Sequence, residues 1–169
     1  KLTDDEFIIM KSHPVRGWEI LKSCYQVHES VLDVCLHHHE RMDGKGYPEK
    51  LSGDALTLFA RMGAVCDVYD AISSDRCYKP AWSPAESIRK MASWRGGHFD
   101  ESIFQAFVKT VGIYPSGTLL KLQSGRLGVV IEQSTKKLTT PIVKTFFSTR
   151  ANTHIPVEII DLSKGMDNI

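Results

Sequence analysis

Apolar residues in this chain change their spacing once, near Tyr114, and that change points to a helical body followed by a small sheet. Before it they recur three and four apart, the repeat of a helix with one buried face. Leu58, Met62, Val65, Tyr69 and Ile72 keep this spacing along what reads as a long helix starting near Asp54. After it they come in short runs: Leu119, Leu120 and Leu122; Val129, Val130 and Ile131; Ile142 and Val143; Val157, Ile159 and Ile160. Ser124-Gly125 and Lys136-Lys137 read as turns, so a C-terminal antiparallel β appendage of about four strands is expected. The predicted class is mainly α, with a helical domain over 1–113 and the β appendage over 114–169, Pro115 and Gly117 marking the boundary.

Local signals place the helices. Thr3 and Glu6 form a capping box, with Asp4 and Asp5 suited to a first turn. Pro14 ends that helix and is tolerated as the start of the next, which puts His13 at a junction where its side chain can face a cleft. Ser30 is the expected cap of a helix running to about His39, after which Gly44, Gly46 and Pro48 force a loop. Two further helices, over 84–94 and 100–111, are separated by Gly96-Gly97.

Composition removes some function classes. With 169 residues, 42% hydrophobic, 24% charged and a net charge of +1, the chain offers no broad basic surface for nucleic acid. No apolar run approaches the ~20 residues of a membrane span, so no membrane contact is expected. Cys24, Cys35, Cys66 and Cys77 form no paired motif. Cys35 and Cys66 stand among apolar residues and read as reduced core side chains of a cytoplasmic protein.

The residues able to do chemistry cluster in two places. His37, His38 and His39 are consecutive and are followed by Glu40, Asp43 and a glycine-rich turn. Successive helical residues point about 100° apart, so all three cannot face one pocket, although His38 and His39 can converge at a helix end. The triplet reads either as a surface cluster or as a ligand set. Asp67 and Asp70 share one helical face beside Gly63 and Ser74; they are either exposed acids or a partly buried pair that needs a cation. Histidines with a carboxylate suit Fe, Mn, Ni or Zn, and a bridged pair of such metals can activate water against phosphorus. Arg76 and Lys79 flank Tyr78 and are either cations matching a helix C-terminus or phosphate binders. His28 and His154 read as loop residues, and His98 as structural.

Taken together these residues resemble one family. The run His38-His39-Glu40-Arg41-Met42-Asp43-Gly44-Lys45-Gly46-Tyr47-Pro48 is similar to the HHExxDGxGYP signature of the HD-GYP domain. The stretch 60–79, His13-Pro14 with Gly17, and Gly96-Gly97-His98-Phe99-Asp100 resemble its other blocks, so the likeness spans 1 to about 111. The resemblance implies an HD-superfamily helical bundle and a bacterial signalling hydrolase, a phosphodiesterase acting on cyclic di-GMP or a related cyclic dinucleotide. It implies two or three divalent metals, Fe or Mn, with His13, His38, His39 and Asp67 as ligands. It implies Asp70, Arg76 and Lys79 at the substrate phosphates. Gly46, Tyr47 and Pro48 would then form a shaped loop that contacts partners such as GGDEF-type signalling proteins. The β segment shows no identifiable chemistry; packing on the bundle and dimer contacts are its candidate roles.

One departure shapes the expected activity. The family is named for a metal-bridging His-Asp pair, followed by a lysine thought to assist catalysis, and no His-Asp dipeptide occurs in these 169 residues. The pair is expected before Lys1 in the natural protein, with this chain a fragment that alone is inactive and holds at most one metal firmly. A non-catalytic cyclic-dinucleotide receptor or protein-interaction module is the alternative, and another HD-type nucleotide hydrolase is a second one, against which the Gly-Tyr-Pro segment argues.

Overall fold

A capping box opens the first helix. Thr3 Oγ1 accepts from the Glu6 N–H at 3.3 Å, and the Glu6 carboxylate accepts from the Thr3 N–H at 2.8 Å, starting α1 (Asp4–Lys11). Helix α2 (His13–Lys22) follows after Ser12, with Pro14 in its first turn, where a missing N–H is harmless. The computed structural model describes residues 3–76, 79–94, 96–134, 137–165 and 167–169. Cys77, Tyr78 and the Lys136 turn lie outside them.

Helix α3 (Glu29–His37) is capped by His28, whose side chain accepts from the Ser30 N–H, so the expected Ser30 cap is corrected by two residues. It ends at His37, leaving His38 as its C-cap. Helix α4 (Leu58–Ser73) does not start near Asp54. That residue sits in a separate short turn, Gly53–Ala55, and Thr57 caps α4 by accepting from the Ala60 N–H at 3.1 Å.

The buried face of α4 also differs from the expected stripe. Of the expected stripe Val65 is buried, but Leu58 and Met62 are exposed, and Ala60 and Ala64 are buried in their stead. The cause is close approach to α3: a Cβ on Gly63 would lie 2.9 Å from Val34 Cγ1, so small residues serve on this part of α4 while Leu58 and Met62 turn out. Cys66 is therefore exposed rather than in the core, while Cys35 is half-buried, close to Gly17 of α2.

Helix α5 (Pro84–Trp94) buries Ser87, Ile88 and Met91, and α6 (Glu101–Val111) buries Phe104. Asp100 starts α6 by accepting from the backbone N–H groups of Ser102 and Ile103, and Arg61 ties it to α4 with a 3.0 Å bond from Nη1 to Oδ2. The Ser102 hydroxyl, then the Ile103 N–H and Arg61, hold the Asp100 carboxyl down at about 2. A carboxylate depressed on folding adds stability that is present above its ordinary value of 3.8 and lost as pH falls toward 2. Asp100→Ala is expected to lower stability by about 1–2 kcal/mol at neutral pH. It should also flatten the acid limb of Tm between pH 4 and 2; an unchanged acid limb would contradict the assignment.

The chain divides into two compact units, Lys1–Phe107 and Val108–Ile169, the division falling within α6. The second unit is an antiparallel meander, β1 (Leu119–Lys121), β2 (Arg126–Glu132), β3 (Ile142–Ser148) and β4 (Thr153–Asp161), paired in that order. Its core is Leu120, Leu122, Val130, Val143, Ile160 and Leu162. Gly128 is required where β2 meets β3, since a Cβ there would fall 2.6 Å from Val143 Cγ1 and 2.8 Å from the Lys144 carbonyl. His154 lies in β4 and not in a loop, edge-on to Phe147. The chain is thus mainly α with a small antiparallel sheet, as its spacing predicts. Among the described residues no helix is long and apolar enough to cross a membrane.

Candidate metal centre

Three histidines from two helix ends converge. His13 opens α2, and its Nδ1 lies 2.7 Å from the Met10 carbonyl. His38 caps α3, and its Nδ1 lies 2.9 Å from the Cys35 carbonyl. A carbonyl can only accept, so in both rings Nδ1 is the donor and Nε2 is the nitrogen turned toward the other histidines. Those Nε2 atoms are 3.3 Å apart, and His39 Nε2 is 3.2 Å from that of His13. One ligand nitrogen from each ring lies within 4.8 Å of the others. Three imidazole nitrogens gathered this closely, one from each ring, are a donor set that suits a divalent transition metal.

His39 is the most constrained of the three. Burial, then the charges of His38 and His13, hold its pKa down at about 4, so it is neutral and available as a donor near pH 7. Its Nδ1 lies 3.3 Å from Asp67 Oδ2 on α4. This carboxylate–imidazole pair is the arrangement that orients a metal-ligating histidine. Burial raises the Asp67 carboxyl above its usual range, while the charges of His38, Arg76 and His13 act in the opposite direction.

The loop after α3 folds back on its own start. Gly46 is buried against backbone: a Cβ there would lie 2.4 Å from Glu40 Cα and 2.6 Å from the His39 carbonyl. Glu40 is 2% exposed, and its Oε1 accepts from the Glu49 and Lys50 N–H groups at 2.6 and 2.9 Å. Tyr47 donates its N–H to the His39 carbonyl at 3.3 Å, and its ring lies 4.7 Å from that of His39, tilted by 31°. Burial and the Asp67 charge push the Tyr47 hydroxyl up to about 12. The Tyr47–Pro48 peptide is cis. Arg41 grips Asp43 with Nε at 3.0 Å and Nη2 at 2.8 Å, holding that carboxyl below its usual range. Asp43 in turn donates its N–H to the Gly97 carbonyl at 2.7 Å, so the loop is pinned to the α5–α6 connection.

The family model described as HD domain matches residues 1–103. The chain belongs to the HD domain family. Its signature segment makes it a member of the HD-GYP branch. A protein of Pseudomonas aeruginosa named cyclic di-GMP phosphodiesterase PA4108 is 58% identical over 165 residues, covering 98% of this chain and 40% of the relative. The cyclic di-GMP phosphodiesterase response regulator RpfG of Xanthomonas campestris is 41% identical over 111 residues, 64% of this chain and 29% of that protein. A 3'3'-cGAMP-specific phosphodiesterase 2 of Vibrio cholerae is 32% identical over 110 residues, 64% of this chain and 21% of that protein. The chain thus spans 40% or less of the length of each of these relatives.

HD domains are metal-dependent, and among the described residues the cluster of His13, His38 and His39 could hold a metal. Asp67 meets the cluster at His39 Nδ1 and is not one of the three grouped donors. Asp70, one turn on, is exposed and accepts from the Ser74 hydroxyl. Arg76 and Lys79 exchange two backbone hydrogen bonds of 2.9 Å after α4. The Arg76 charge is felt at Asp67, whereas Lys79 Nζ sits 3.9 Å over the Trp82 ring. His98 stacks on Phe99 at 4.3 Å and supplies a backbone carbonyl to the Met42 N–H. Glu40 was not singled out from sequence. Its signal is an acid directly after three histidines, inside the signature-like run, and only the folded-back loop shows what it holds.

Proposed function

We propose that this HD domain belongs to a metal-dependent phosphodiesterase that hydrolyses cyclic di-GMP, or a related cyclic dinucleotide, in bacterial second-messenger signalling. The observation that carries this reading is the convergence of His13, His38 and His39, with Asp67 behind His39 and the Arg76 charge within reach of Asp67. His13, His38, His39 and Asp67 hold metal, two or three ions of Fe or Mn in the complete domain. Such ions would supply an activated water and positive charge for the phosphoryl oxygens. The chain's own part is positioning. The α2 and α3 ends aim the imidazoles, and α4 brings Asp67 up beside His39. Arg76 offers a fork to a non-bridging phosphate oxygen, Lys79 a point charge, and Asp70 a polar edge beside them. Gly46, Tyr47 and Pro48 shape one rim, which also suits a partner such as a GGDEF-type protein. The setting is cytoplasmic, and the sheet of the second unit is the candidate dimer surface.

Full-length protein loaded with Mn or Fe is expected to linearise cyclic di-GMP. Survival of both cyclic di-GMP and a mixed cyclic dinucleotide would sink the enzyme reading. The 169-residue chain alone is expected to be near background, because it has no His-Asp pair to bridge a second metal. Metal analysis finding two tightly bound ions per chain would contradict that. A replaced His-Asp pair upstream would instead favour the receptor reading, distinguished by dinucleotide binding without cleavage.

A further inference from the structure

His37 sits beside two candidate ligands, yet neither of its ring nitrogens joins their cluster. Its Nδ1 lies 2.8 Å from Asp33 Oδ1, one turn back on α3, and its Nε2 lies 3.3 Å from Glu49 Oε2 in the signature loop. The His37 and Asp33 side chains are only 13% and 20% exposed, while Glu49 is 53% exposed. The chain of contacts continues. Asp33 Oδ2 accepts a short hydrogen bond from the Thr57 hydroxyl, and Thr57 is the cap of α4. Thr57, Asp33, His37 and Glu49 therefore connect the start of α4, the last turn of α3 and the signature loop. These are the elements that carry Asp67, His38 with His39, and Tyr47.

We infer that His37 is a positioning residue that latches the signature loop to α3 through Glu49, and so fixes Tyr47 over the His39 ring. The backbone N–H of Glu49 is already held by Glu40, so the loop is anchored there by its main chain on one side and its side chain on the other. Glu40 holds the loop in place; the His37 contact fixes its angle against the helix end. Outer groups of this kind act on a metal site through the orientation of its ligands, so their loss lowers affinity without removing a donor.

The test uses Glu49→Ala, His37→Leu and the double variant of the full chain, with two readouts. The first is amide exchange at Tyr47, Glu49 and Lys50 in metal-free protein. The second is Mn(II) affinity by chelator competition. Glu49→Ala, at a half-exposed position that the fold tolerates, is expected to speed exchange at those amides roughly tenfold through local opening. It should weaken Mn(II) binding by about tenfold, the lower end for an outer-shell partner. The double variant should be no worse than the more damaging single one, since both break the same link. His37→Gln, which keeps a donor toward Glu49, should recover part of the loss. Wild-type exchange in Glu49→Ala, or effects of the two single variants that multiply in the double, would overturn the inference. The inference rests on the proposed metal centre for its second readout only. If the protein fails to bind metal or cleave any cyclic dinucleotide, the functional reading falls while the exchange result still decides the latch.

Discussion

Gly46→Ala is expected to be the most destabilising single-methyl change in the signature loop, at about 3 kcal/mol or more. The added Cβ would stand 2.4 Å from Glu40 Cα and 2.6 Å from both the Arg41 nitrogen and the His39 carbonyl oxygen. All three are backbone atoms, so no rotamer change relieves the overlap. Either the loop lifts or the end of α3 shifts. Lifting the loop breaks the Tyr47 N–H bond to His39 and strains the paired bonds to Glu40, exposing a carboxylate now 2% exposed. Shifting the helix end moves His38 and His39. The variant should therefore lose stability and Mn(II) affinity together, read by denaturant midpoint and by titration. Gly96→Ala is the control, since a Cβ there meets nothing within 4 Å. A Gly46→Ala protein with the wild-type midpoint would show that the loop does not lie against the His39–Arg41 backbone.

His13→Ala is expected to have the largest effect on metal binding, a loss on the order of 100-fold or more, since even outer-shell partners cost 10–100-fold. His13 Nε2 is the atom that both other rings approach, at 3.3 Å from His38 and 3.2 Å from His39. His13 is also the exposed member of the trio, so truncation removes a ligand without opening a core cavity. Stability without metal should stay within about 0.5 kcal/mol of wild type. The separation of the two effects is the diagnostic: Gly46→Ala changes fold and affinity, His13→Ala affinity alone. Unaltered metal affinity in His13→Ala would remove the three-histidine centre as the binding site.

What could be read from the sequence was what is decided locally. The Thr3–Glu6 box, the Pro14 junction and the β runs of the second unit each depend on neighbours a few residues away. The face of α4 did not yield in that way. Leu58 and Met62 have the right spacing for a core stripe, but which side is buried depends on how closely Val34 of α3 approaches Gly63. Cys66 was misplaced for the same reason. The candidate ligands were legible only through family likeness: three consecutive histidines admit a surface reading until His13, far away in the chain, is seen to meet two of them. What Glu40, His37 and Glu49 hold was not legible, because their partners are set by the return path of a loop, which spacing does not encode.

The loop and the metal centre also differ in how much chain must be gathered to make them. Glu40 reaches its partners across 9 and 10 residues, and His37 reaches Glu49 across 12. His13 must close on His38 and His39 across 25 and 26. Ring-closure entropy grows with the logarithm of length, so the wider closure costs about 0.8 kcal/mol more. The signature segment is in this sense the cheaper knot to tie. Its internal closures are short, whereas the histidine cluster depends on α2 to bring His13 across the longer span.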